Sequence, residues 1–163
     1  MGDYFYRAFN SALSSELLPT SLRMSIMRAA GFDIGEEVTI WPNASFRSRR
    51  FTIGRNVFIN VGFFFDGCAH LTIGDNVRIG QFVRVITGTH EQGSSKQRCL
   101  VEVVAKPVAI ESGCWIGVGA VILPGVVVRS GCGIAPYSVV TRSTEANGLY
   151  AGNRAERARD LPP

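Results

Sequence analysis

From residue 110 onward, every sixth position holds a β-branched aliphatic: Ile110, Ile116, Ile122, Val128, Ile134 and Val140. The same period runs earlier in other phases. It passes through Ile34, Ile40 and Phe46, then Ile53, Ile59 and Phe65, and after a two-residue slip through Ile73, Ile79 and Val85. Four positions after an anchor comes a small or apolar residue, as at Val57, Val77, Cys114, Ala120 and Cys132. Glycine often follows directly, as at Gly35, Gly54, Gly74, Gly80 and Gly117, which suits corners where the backbone bends or takes a positive φ. A period of six fits neither the 3.6-residue helix nor simple strand alternation. It fits a triangular coil of three short sides, each giving one anchor to a narrow interior. Such coils stack at the parallel-strand spacing of about 4.8 Å, so about five make a prism roughly 24 Å tall. The fold predicted is all-β, a parallel β-helix, with handedness left open by the spacing. Cys114 and Cys132, one coil apart in phase, should stack as small interior residues without a disulfide, whose geometry would be strained there.

Two segments break the period and divide the chain into a helical capping segment, 1–33, and a β-helix domain, 34–163. The first carries Tyr4, Phe5, Tyr6 and Phe9, then Pro19-Thr20-Ser21 leading a helical pattern through Leu22, Ile26 and Ala30, with Gly31 as its stop. It is expected to cover one end of the prism and its exposed edge, with a membrane-surface helix as the alternative. The second break runs from about Gly88 to Pro107 and opens on the polar stretch Glu91 to Lys96. Loops thrown from a rigid scaffold are where function tends to sit. His90 stands at the mouth of this one, where an imidazole can titrate near neutral pH and accept a proton.

Composition narrows the class. Of 163 residues, 46% are apolar and 18% charged, which excludes a disordered chain. No apolar run reaches the length of a membrane span and no secretory signal is visible, so a cytoplasmic location is expected. The net charge of +4 favours an anionic partner, but no nucleic-acid motif accompanies it. Four cysteines without a CxxC pair argue against a zinc site. With only His70 and His90 present, a β-helix enzyme needing three zinc histidines is ruled out. Flat faces carrying Phe63, Phe64 and Phe82 suggest association with further copies of the chain.

Several segments together carry a family resemblance over roughly 34–160. They are Phe58-Ile59-Asn60, Leu71 through Val77, Thr87-Gly88-Thr89-His90, Cys114-Trp115-Ile116-Gly117, Leu123-Pro124-Gly125-Val126 and Val139-Val140-Thr141-Arg142. The chain resembles the hexapeptide-repeat acyltransferases, especially the galactoside, maltose and nodulation O-acetyltransferases and the colanic-acid-type polysaccharide O-acetyltransferases. The resemblance implies a left-handed helix, acetyl-CoA as acyl donor, a sugar or glycan acceptor, no metal, and a homotrimer with sites between subunits. It implies that His90 is the general base and that Asn60 helps bind the acceptor. Asp66 is either an acceptor-binding residue or a turn residue, and Glu91 either orients His90 or is a solvated loop carboxylate. An oxyanion donor is expected among the backbone N–H groups of residues 115–119. Pantetheine is expected to pass Trp115, Gly117 and Gly119, although Trp115 also reads as packing. Thr141 and Arg142 match the family's phosphate-contacting pair. Further on, Gly152-Asn153-Arg154-Ala155-Glu156 departs from the family's Gly-x-Pro-Ala-Lys/Arg, which shifts the expected phosphate contact to Arg154, Arg157 or Arg159.

Other readings remain open on the same fold: an antibiotic- or xenobiotic-modifying O-acetyltransferase, and a non-catalytic β-helix assembly module. A nucleotidyltransferase is disfavoured, because the leading 33 residues are too few for a nucleotide-binding domain.

Overall fold

Every anchor of the six-residue repeat ends a strand of two or three residues, and the anchors stand in three vertical columns. Ile34, Ile53, Ile73, Ile110 and Val128 pair in register along the first face. Ile40, Ile59, Ile79, Ile116, Ile134 and Tyr150 do so along the second. Phe46, Phe65, Val85, Ile122 and Val140 form the third. The computed structural model describes residues 3–162. Its five coils form a left-handed parallel β-helix, with Gly148–Ala151 opening a further turn on the second face. Strand Glu156–Asp160 closes that face antiparallel. The anchors are buried except Ile34, which is half-buried at the capped end. Burying one such side chain contributes about 1.5–3 kcal/mol, so the columns are the main source of stability.

The corners correct one expectation. The glycines that directly follow anchors do not sit at positive φ; they are forced by close approach between coils. A Cβ on Gly54 would lie 2.8 Å from the Gly74 carbonyl carbon, and one on Gly117 would lie 2.6 Å from Pro136 N. The left-handed residue comes three positions after the anchor, and Asn56 and Asn76 fill that place with the residue type that best tolerates it. Phe63, expected on an outer face, is fully buried. It lies four positions after Ile59, the interior site that Val57 and Ala120 hold elsewhere, and its ring centroid is 5.3 Å from that of Phe46. Phe64 is half-buried and Phe82 exposed. Cys114 and Cys132 are buried, unpaired and stacked as expected, and burial pushes the Cys114 thiol up to about 11.

Two helices, α1 (Asp3–Ser14) and α2 (Thr20–Ala29), cover the first coil. Tyr6 donates its hydroxyl to Phe46 O at 2.8 Å, and Phe9 stacks on Phe32. The side chains of Tyr4 and Phe5 lie outside the described ones. Gly31 ends α2 at φ 75, as expected. The helical phase differs from the expected one: α2 buries Arg23, Met24 and Met27 and leaves Leu22 exposed. Arg23 reaches that depth because its guanidinium donates to four carbonyls, those of Leu13, Ser15, Leu18 and Ile40, at 2.6 to 3.0 Å. A cation against the last carbonyls of α1 is favourable there.

The second break is an ordered antiparallel hairpin, Gly88–Gln92 with Cys99–Ala105, projecting from the corner between the third and first faces.

Candidate functional site

The hairpin leaves the third coil at Thr87, and its root is braced from the coil before. Asp66 Oδ2 accepts the backbone N–H groups of Thr87 and Gly88, both at 2.9 Å, while Oδ1 accepts the Thr87 hydroxyl. That hydroxyl in turn accepts Ala69 N–H at 2.9 Å. Thr87 is fully buried, so these donors have no water to fall back on. Both Asp66 oxygens are thus engaged by the hairpin root, three residues before His90. Cys68 packs where a Gly88 side chain would stand, and burial, with Asp66 beside it, pushes its thiol up.

His90 is exposed on the first hairpin strand, opposite Val103. Its Nδ1 lies 3.1 Å from the Glu102 carbonyl oxygen. A carbonyl can only accept, so Nδ1 carries the proton and donates, which leaves the neutral ring's lone pair on Nε2. The group orienting the imidazole is therefore a backbone carbonyl of the return strand. Glu91, the carboxylate considered for that task, is exposed and lines the same groove.

A groove of about 360 Å³ runs from His90 along the corner past Leu123, Pro124 and Thr141. Ile86, Leu123 and Thr141 stack there in successive coils, Ile86 N–H donating to Ile122 O and Leu123 N–H to Val140 O. Lys106 also lines it, a residue that the sequence reading missed. Its N–H donates to Thr87 O at 2.8 Å, and its stem packs over Gly125. Pairing the two ends of the non-periodic segment would have revealed it, since a hairpin returns its last residues to its first.

The remaining expected residues lie elsewhere on the chain. Asn60 and Gly117 occupy the corner between the second and third faces, one position after their anchors, so the third face separates Asn60 from His90. Trp115 points outward from the second face, 70% exposed. The space before Gly119 is filled by the Tyr137 ring, 2.6 Å from where a Cβ would stand. Gly117 and Gly119 are thus explained by packing between coils. The N–H groups of Trp115, Gly117 and Gly119 donate to Cys132, Ile134 and Gln81 carbonyls, which removes all three as oxyanion donors.

Arg142 follows Thr141 at the open end of the prism and is exposed. Residues 152–155 run alongside Val139, bringing exposed Arg154 to the same end. Arg159 pairs with Leu149 on the second face, in the column of Trp115. Arg157 is held by Asp160 at 2.8 Å and Glu145 at 3.3 Å, which leaves it engaged within the chain. His70 is exposed, with Nε2 3.2 Å from Thr52 Oγ1. Among the described residues, no group of three or more His, Cys, Asp or Glu side chains is placed to hold a metal ion.

Comparison with known proteins converges on one kind. Residues 107–142 match the model described as bacterial transferase hexapeptide (six repeats). Galactoside O-acetyltransferase of Escherichia coli K12 is 30% identical over 154 residues, covering 94% of this chain and 74% of that protein. A Schizosaccharomyces pombe protein with an acetyltransferase name is 33% identical over 108 residues, 66% of this chain; the chain spans only 52% of its length. The crystal structure of a hexapeptide-repeat-containing acetyltransferase from Vibrio cholerae O1 biovar eltor, complexed with acetyl coenzyme A, superposes with a TM-score of 0.84 at 28% identity. That match covers 96% of this chain and 85% of that one.

Proposed function

Because the chain belongs to the hexapeptide-repeat acyltransferases, we propose that it is an acetyl-CoA-dependent O-acetyltransferase acting on a hydroxyl of a sugar or glycan precursor, with His90 as general base. The observation that carries this reading is the state of His90. Its Nδ1–H is pinned to the Glu102 carbonyl and its Nε2 is left as the acceptor at the edge of the groove. A sugar hydroxyl is a poor nucleophile at neutral pH. As its oxygen attacks the thioester carbonyl, Nε2 takes the proton, the carbon–sulfur bond breaks, and the proton passes on to the departing thiolate. Asp66 serves as a positioning residue, holding Thr87 and Gly88 so that the hairpin presents His90 in one place. Asn60 hydrogen-bonds the acceptor.

The Vibrio relative's acetyl-CoA complex supports acetyl-CoA as the donor. Thr141, Arg142 and Arg154 gather at one end of the prism and suit the nucleotide phosphates, with Arg159 and Trp115 contributing from the second face. The third face lies between Asn60 and His90, so a site using both draws them from two copies of the chain. That supports a homotrimer with three sites between subunits. No helix among the described residues is long and apolar enough to cross a membrane.

The test is thiol release from acetyl-CoA across a panel of glycosides, oligosaccharides and hydroxylated antibiotics. Release that depends on a sugar acceptor supports the reading, whereas release with antibiotics alone, or with no acceptor, contradicts it. Light scattering at micromolar concentration should return three times the chain mass of 17.7 kDa, and a monomer would remove the shared site.

A further inference from the structure

Phe82 is held in a conformation that its own residue type disfavours. Its φ is 56, in the left-handed region, at the corner position three residues after an anchor where Gly62 and Gly119 stand in neighbouring coils. A bulky side chain there is strained, and glycine would meet the same geometry freely. The core does not require the ring, which is 58% exposed and packs against Gly62, where a Cβ would otherwise stand. Tyr137 holds the same strained place over Gly119 at the far end of the prism, so what sets Phe82 apart is its surroundings.

The neighbourhood indicates what is recognised. Phe82 N–H donates to Val61 O from the following coil, and its ring packs over Gly62, two residues along the same turn from Asn60. From the preceding coil, Trp41 stands at the same corner position as Asn60 and is 47% exposed. The Trp41 indole is fixed edge-on against Phe58, with ring centroids 6.0 Å apart. In the coil between those of the two rings, Asn60 is half-buried and its Oδ1 accepts Val61 N–H at 2.8 Å, which leaves the amide nitrogen as the group that can donate to a ligand. Two aromatic faces flanking an outward amide match an amphipathic ring: C–H groups against the aromatics, hydroxyls toward the amide.

We propose that Phe82 and Trp41 form an aromatic subsite holding the pyranose ring of the acceptor beside Asn60. This rests on the reading of the chain as a sugar O-acetyltransferase. It assigns acceptor specificity to a corner that carries none of the acyl-transfer chemistry. The subsite distinguishes a cyclic sugar from an open-chain polyol with the same hydroxyls, since only the ring offers a flat C–H face.

The experiment compares Phe82→Gly with the parent protein, using methyl β-D-galactopyranoside and galactitol as probes. Glycine relieves the positive φ, so the variant should melt no lower and keep its oligomeric state and acetyl-CoA affinity. Its KM for the glycoside should rise about tenfold, the size expected of one lost stacking face, with kcat and the galactitol KM little changed. Phe82→Tyr should restore the glycoside KM. An unchanged glycoside KM, or a lower melting temperature with loss of oligomer, would overturn the proposal by making the ring neutral or structural. Binding is read separately in Trp115→Phe, which leaves Trp41 as the one indole of the two in the chain. Its fluorescence should respond to the glycoside and not to galactitol. A parent protein that releases no thiol, while Trp115→Phe shows this response, would sink the acetyltransferase reading and leave the subsite standing; no response would sink the subsite.

Discussion

Asp66 accepts three donors from Thr87 and its neighbour Gly88, so a single carboxylate fixes where the His90 hairpin leaves the prism. Asp66→Asn keeps the shape but turns an N–H₂ toward N–H groups that need an acceptor. Stability should fall by about 1–3 kcal/mol, the cost of unsatisfied buried donors. Turnover should fall with it, while acetyl-CoA affinity is retained. Chemical denaturation beside steady-state kinetics checks both. A variant with a raised acceptor KM and unchanged stability would instead make Asp66 a ligand contact.

Donor binding is tested by thermal shift. Coenzyme A should raise the melting temperature by mass action, and free adenine should do so much less. Added salt should weaken the shift if Arg142 and Arg154 hold the phosphates, and Arg142→Gln should lower affinity about tenfold. No shift at millimolar coenzyme A would remove the donor assignment.

Gly117→Ala separates packing from ligand approach. The added Cβ meets Pro136 N and the Ile134 carbonyl oxygen at 2.6 and 2.7 Å, so the ligand-free protein should lose about 1–3 kcal/mol. Full stability with weakened coenzyme A binding would show that the glycine serves the ligand.

Glu111 gives the fold an acid limit. Its carboxylate takes Arg129 Nη1 at 2.7 Å and the Ser130 N–H at 2.9 Å, joining two coils, and the Arg129 hydrogen bond leads in holding its carboxyl below the usual range. A carboxyl more acidic in the folded chain adds stability above its unfolded pKa, about 4.3 for Glu. That stability is lost as pH falls through the folded value. Urea midpoints should therefore drop on acidification below that range, and Glu111→Gln should flatten the drop. Superimposable acid limbs would contradict this.

The prism was legible because one interior position per side must be apolar, and Ile110 through Val140 repeat it without interruption. The corners were less so. Positive φ falls three residues after the anchor, where Asn56, Phe82 and Tyr137 share no chemistry that a pattern would catch. Phe63 was misplaced because an interior site four residues after an anchor tolerates both Ala120 and a phenyl ring. His90 could be singled out by its place at a break in the period. Its partner is a backbone carbonyl, that of Glu102, and Lys106 joins the groove only through hairpin pairing, neither of which side-chain spacing encodes.

The most direct test is turnover of His90→Ala with acetyl-CoA and a competent sugar acceptor. Loss of the general base should lower kcat by about 10²–10⁴, with coenzyme A binding and oligomeric mass unchanged. His70→Ala should have little effect. A His90→Ala protein that keeps most of its turnover would show that the base, and with it the site, lies elsewhere.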